Sequence, residues 1–229
     1  MNGEALLALC RDVLADAGEA EVELYLHVAE RGCARFAMGE LGQHMELSDP
    51  RAVVRVAHGR RVAEAITSRV DRAALVQVVR ATARAAKLVP EVEGFPGFAG
   101  QDEPPQQKAP RFAEATAHAT PEERVARLAP VLQAIRDAGL VSAGMLETTR
   151  AARAVATTRG CTGSHDESVA SFRVWALETA GAGGAAGFGG QMHRDVRALR
   201  LAEETERAIR ICRMSRAPAS LDEGTYDVV

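Results

Sequence analysis

Six histidines and four cysteines are the residues of this 229-residue chain best suited to metal or nucleophilic chemistry. A zinc peptidase needs two histidines one helical turn apart with a glutamate beside the first, so that both imidazoles meet the ion and the carboxylate activates water. No H-E-x-x-H or H-E-x-x-x-H occurs, and His27, His44, His58, His118, His165 and His193 are dispersed. The nearest approaches to a ligand cluster are His165-Asp166-Glu167 and His44 with Glu46. Both read as solvated turn or strand residues, because nothing nearby supplies the partners that orient a ligating imidazole. Cys161, in TTRGCTGSHDES with His165 four residues on, has the residue types of a thiol nucleophile and its base. A turn rich in Gly and Ser is the plainer reading, since such partners are usually brought together by the fold.

The glycine-rich run GAGGAAGFGG contains Gly181-x-Gly183-x-x-Ala186, a degenerate dinucleotide fingerprint. A phosphate-binding loop of that kind opens directly into a helix, whereas here glycines continue to Gly190 and helical periodicity starts near Asp195. A hairpin turn is expected instead. There is no G-x-x-x-x-G-K-[ST] loop and no G-x-S-x-G elbow. The residues alone therefore assign no catalytic, cofactor-binding or metal site.

Composition narrows the class further. With 28 Lys and Arg against 31 Asp and Glu, the net charge of -3 lacks the positive excess that phosphate contacts favour, so no direct nucleic-acid partner is expected. Aromatics at 4%, with Trp175 the single tryptophan, give little for base stacking. No apolar run approaches the ~18 residues of a membrane span, and the start has no basic leader, so a cytoplasmic protein is expected. Cys10, Cys33, Cys161 and Cys212 lie far apart, as reduced cytosolic thiols do.

Elements follow from periodicity. Residues 3–18 carry an amphipathic stripe ending at Gly18. VELYLHVAE and CARFAMGEL read as extended segments joined at Arg31-Gly32; QHMELS follows, and two strands flank a His58-Gly59 turn. A helix starts after Asp71, a plausible N-cap. Residues 90–111, rich in Pro, Gly and polar residues, read as an exposed linker between sub-halves 1–89 and 119–215. Thr120-Pro121-Glu122-Glu123 is a capping-box signature for a helix ending at Gly139. Four more strands, LVSAGMLETTR, AARAVATTRG, SVASFRVWALETA and AAGFGGQMH, precede a helix in DVRALRLAEETERAIRICRMS. Residues 221–229 read as a turn into a strand.

Strands flanked by helices favour an α+β two-layer sandwich with a largely antiparallel sheet. Both sub-halves run helix, about four strands, helix, and Arg55-Val56 matches Arg173-Val174 as Asp71-Arg72 matches Asp195 to Arg197. This is either an internal pseudo-repeat or chance likeness.

As an ordered set, CARFAMGELGQ, VVRVAHGRRVAEAITSRVDRAALVQVV, FPGF and SRAPASLDEGTYDVV resemble the N-terminal region of the TldD/PmbA (TldE) family. That family shows R-F-x-N-G-x-I-x-Q, V-R-V-x-x-x-G-R before a D-x-x-x-L helix, and L-x-P-G-x-Y-x-V-V entering a second domain. Arg35, Phe36, Gly39, Leu41 and Gln43 fit the first motif. Arg55, Val56, Gly59 and Arg60 fit the second, and Leu221, Gly224, Tyr226, Val228 and Val229 the last. Met38 stands where Asn is usual, Ala63-Glu64 where glycine-containing pairs are common, and Glu223 where Pro is usual.

The resemblance implies a zinc metallopeptidase family, also called modulators of DNA gyrase, active in proteolysis and in maturation of peptide precursors. Its members are about twice this length, and the zinc motif of the TldD-type subunit lies in the C-terminal half; zinc would belong there and no ligand is carried onto this chain. The implied role is a non-catalytic N-terminal domain that shapes substrate access or dimerisation, with homo- or heterodimer partners of the TldD/TldE kind and a peptide or unfolded-protein substrate. The alternative is a stand-alone interaction module working through edge-strand pairing.

Overall fold

The structure, a computed structural model, describes the chain except Glu19, residues 102–110, 179–183, Ala217, Ala219, Leu221 and residues 228–229. Helix α1 (Gly3–Leu14) starts at Asn2, whose side-chain oxygen accepts from the Ala5 N–H. Three strands follow: β1 (Glu21–Ala37), β2 (Glu40–His58) and β3 (Arg61–Thr67). Helix α2 (Arg72–Ala86) is capped by Asp71, which accepts from the Ala74 N–H. After the short α3 (Glu114–Ala117), the second half repeats the order with α4 (Pro121–Asp137), β4 (Val141–Thr157), β5 (Thr162–Leu177), β6 (Ala186–His193) and α5 (Leu201–Met214).

All six strands form one antiparallel sheet in the order β3-β2-β1-β4-β5-β6. The two halves thus contribute three strands each, meeting at β1 and β4, in mirrored order about the middle of the sheet. Strand periodicity of two sends one set of side chains to each face. Leu24, Leu26 and Phe36 of β1, Val54 and Val56 of β2, Leu146 and Ala154 of β4, and Phe172 and Val174 of β5 face the helices and are buried. They divide into two cores: α1 and α2 cover one end of the sheet, and α4 and α5 cover the other. On the opposite face, with Tyr25, His27, Arg51, Arg153 and Glu167, no helix among the described residues is packed.

The expected α+β sandwich is what forms, with two long strands and one short strand per half where about four were expected. Arg31-Gly32 is no turn. β1 runs straight through it, paired with β2 and β4 on both sides, and the hairpin turn falls at Met38-Gly39. LVSAGMLETTR and AARAVATTRG likewise merge into β4. Gly32 breaks a strand pattern for a different reason, given below.

Other differences are local. Helix α1 ends a turn before Gly18, which has φ +65°. The last helix starts at Leu201, after a single 3-10 turn over Val196–Ala198 that Asp195 caps. The linker is not wholly exposed: Phe98 is buried, edge-on to Phe95, with the Arg55 guanidinium 5.2 Å from its ring centre. Residues 222–227 form no strand, while Leu221, Val228 and Val229 lie outside the described residues. No helix among the described residues is long and apolar enough to cross a membrane.

Candidate functional site: a charged cleft between the two cores

Strand geometry disposes of two sequence candidates. His165, Asp166 and Glu167 are consecutive in β5, so they alternate between faces. His165 and Glu167 lie on the open face, opposite Arg153 and Ala151, while Asp166 accepts from the Gly3 N–H at 2.9 Å at the start of α1. Cys161 is buried at the turn before β5, and four residues along a strand carry His165 about 13 Å away. Gly181 and Gly183 lie outside the described residues. Gly187 and Gly189 are in β6, where α5 comes so close that a Cβ would overlap the carbonyl oxygens of Ala208 and Glu204. These glycines serve helix-on-strand packing rather than phosphate binding. Among the described residues, no three His, Cys, Asp or Glu side chains are grouped to hold a metal.

The second histidine pair does converge on something. Helix α4 opens with the expected capping box: the Thr120 hydroxyl accepts from the Glu123 N–H, and the Glu123 carboxylate accepts from the Thr120 N–H. That start fixes the direction of the next residue, Arg124, whose side chain runs down onto the middle of the sheet and is 1% exposed. Its Nη1 donates to the Ala119 carbonyl at 3.0 Å and to Thr148 Oγ1 at 2.8 Å. Its Nη2 lies 3.0 Å from His44 Nε2 and contacts the Glu46 carboxylate, while its Nε is buried without a hydrogen-bond partner. His44 and Glu46, two apart in β2, share a face and both reach this arginine. Gly32 of β1 lies directly beneath the guanidinium, where a Cβ would overlap it.

Taking a guanidinium out of water costs several kcal/mol unless its charge and donors are met. Here Glu46 meets the charge, from a side chain that is itself 59% exposed. Beside Arg124 is a cavity of about 160 Å³ with an almost wholly polar lining that includes Glu30, Glu46, His118, Thr148 and Arg150. A larger cleft of about 610 Å³ shares Glu30, His118 and Arg150 with it and extends to Asn2 and Asp166 at the start of α1. Arg150 donates to Glu30 through both Nε and Nη2, at 2.9 and 2.6 Å, and His118 Nε2 is 3.1 Å from Glu114. The cleft lies in the seam between the two cores, where neither pair of helices covers the sheet.

Sequence reasoning passed over Arg124, because an arginine in EERVARLAP reads as solvent-facing. The available signal was Gly32, since an isolated glycine inside a strand pattern often marks a close approach by another group.

These features define a two-layer α+β sandwich of two mirrored helix-sheet-helix halves with a polar seam. The same fold occurs in TldE from Thermococcus kodakarensis, with a TM-score of 0.78 and 18% identity over 91% of this chain and 47% of that one. It also occurs in a candidate modulator of DNA gyrase from Thermotoga maritima, with a TM-score of 0.76 and 13% identity over 96% of this chain and 49% of that one. A second candidate gyrase modulator, from Bacteroides thetaiotaomicron, gives 0.69 and 12% over 90% and 49%. The chain therefore has the fold expected from its resemblance to the TldD/PmbA family and spans about half the length of each of these structures. No protein-family model and no curated protein sequence matches it.

Proposed function

We propose that this chain is a non-catalytic N-terminal domain of a TldD/PmbA-like metallopeptidase acting in proteolysis or peptide maturation, where it shapes substrate access or the dimer surface. The observation that carries this reading is the fold match, which takes in nine-tenths or more of this chain but only 47% to 49% of each relative. Zinc, on this reading, belongs to the other half of a TldD-type subunit. The partners are a second TldD- or TldE-like subunit and a peptide or unfolded chain, in the cytoplasm.

The test is to purify the chain alone and with a full-length TldD- or TldE-like subunit, and to assay peptide cleavage with and without added zinc. The chain alone should be inactive and should co-migrate with the full-length subunit. Zinc-dependent cleavage by the isolated chain would refute the proposal.

One observation favours a second reading, an interaction module that pairs through a strand edge. β3 pairs only with Ala52–His58, so no strand among the described residues pairs with the outer edge of β2 from Glu40 to Arg51. An extended peptide could add there. A peptide that raises the protection of the outward-facing Glu40–Arg51 amides from hydrogen exchange would favour it, and unchanged protection would remove it.

A further inference from the structure

We propose that the cavity beside Arg124 is a carboxylate-binding site, in which Glu46 occupies the position of a ligand carboxylate and gives way to it. The guanidinium is fixed before any ligand arrives, held by Ala119 O and Thr148 Oγ1 over the flat floor that Gly32 provides. A planar fork held in this way matches a carboxylate better than a flexible ammonium would. Its outward edge meets groups from β2 only, His44 and Glu46. Both come from the Glu40–Pro50 stretch, which has no outer strand neighbour among the described residues and is mostly exposed. Glu46 can therefore swing into solvent without disturbing a core.

The cavity's 160 Å³ exceeds the roughly 30 Å³ share of one water several-fold, enough for a carboxylate on a short stem. The facing charges allow it. Glu30 is matched by Arg150, and His118 faces Glu114. With Glu46 turned out, the cavity wall presents Arg124 and Arg150 against the carboxylate of Glu30, while Glu122 at the start of α4 acts on Arg124 and His44 from outside that wall. The ligand class is a monocarboxylate, either the C-terminus of a peptide or a small free acid. This inference rests on the cavity itself and would survive failure of the family reading.

The experiment uses the full chain, as wild type and as Glu46→Ala, titrated with sodium acetate against sodium chloride at equal ionic strength. A short peptide with a free C-terminus and the same peptide amidated form the second arm. Binding is followed by thermal unfolding and by the NMR signals of Arg124 Nε–H and the Gly32 amide. Glu46→Ala should melt lower than wild type in chloride and recover in acetate. It should also bind acetate about tenfold more tightly than wild type, the size of one charge-assisted hydrogen bond. A free-terminus peptide that outcompetes its amide assigns the site to chain termini, and acetate binding without that preference assigns it to small acids. Acetate acting no differently from chloride on Glu46→Ala, with both NMR signals unmoved, would overturn the proposal.

Discussion

Gly32 of β1 is the floor on which the Arg124 guanidinium rests: a Cβ at this position would overlap the planar end of that side chain. The close approach lets a charged residue of α4 reach across the seam to Thr148 of β4 and Glu46 of β2, so a single side chain ties a helix to the three strands beneath it.

Gly32→Ala should therefore destabilise, although alanine is ordinarily the better strand residue. The guanidinium cannot withdraw without giving up Thr148 and Ala119, so the cost should be about 1–3 kcal/mol, as for other overpacked sites. Urea midpoints of the two proteins check this, and an unchanged or raised midpoint would mean that the guanidinium is not fixed.

The β1–β2 turn points the other way. Met38 has φ +56° and Gly39 φ +80°, the left-handed pair of a two-residue hairpin turn, and Met38 is largely exposed. A methionine is strained there and an asparagine is not. Met38→Asn should raise stability by roughly 0.5–1 kcal/mol, seen as a higher melting temperature with unchanged circular dichroism.

Gly187 and Gly42 make a matched pair. A Cβ at Gly187 would overlap the Ala208 carbonyl oxygen in α5, and backbone cannot rotate aside, whereas nothing lies within 4 Å of a Cβ at Gly42. Gly187→Ala should lower the thermal midpoint markedly, by an amount equivalent to about 2–3 kcal/mol, and Gly42→Ala should not lower it. Equal effects would show that α5 does not sit on β6 at this distance.

Cys10 links stability to alkaline pH. It is fully buried in α1 against the Leu24 carbonyl, and burial pushes its thiol up from an ordinary value near 9 to about 12. The unfolded chain thus loses this proton more readily than the folded one. The contribution is fully present below about pH 9 and is lost as pH rises from there toward 12. Urea titrations across that window should show stability falling more steeply in wild type than in Cys10→Ala, and parallel slopes would contradict it.

Much of this fold is readable from the chain because its signals are local. The Thr120–Glu123 capping box, the Asp71 cap and the turn after β2 each involve residues within a few positions of one another; the two caps form as the sequence predicts, and the turn falls one residue on from His58-Gly59, at Gly59-Arg60, with His58 still paired to Arg61. Alternating burial likewise marks the ends of β2 and β5 from Ala52 and Ser168 onward, and the matching Arg55 and Arg173 fall on the second strand of each half.

The seam is another matter. Arg124 meets Thr148 and Glu46 from 24 and 78 positions away, and His44 with Glu46 means little until β2 is laid beside β1 under α4. Gly32 invited a turn because, on the page, a glycine that admits a neighbouring side chain looks the same as one that reverses the chain. Helix caps and alternating strand patterns rest on short-range hydrogen bonding and periodicity, which the sequence carries, whereas strand continuity through Gly32 rests on pairing with β4 more than 100 positions away. Burial of one arginine among many was decided only when three strands and a helix met, because the cost of removing a charge from water depends on partners that the fold alone assembles.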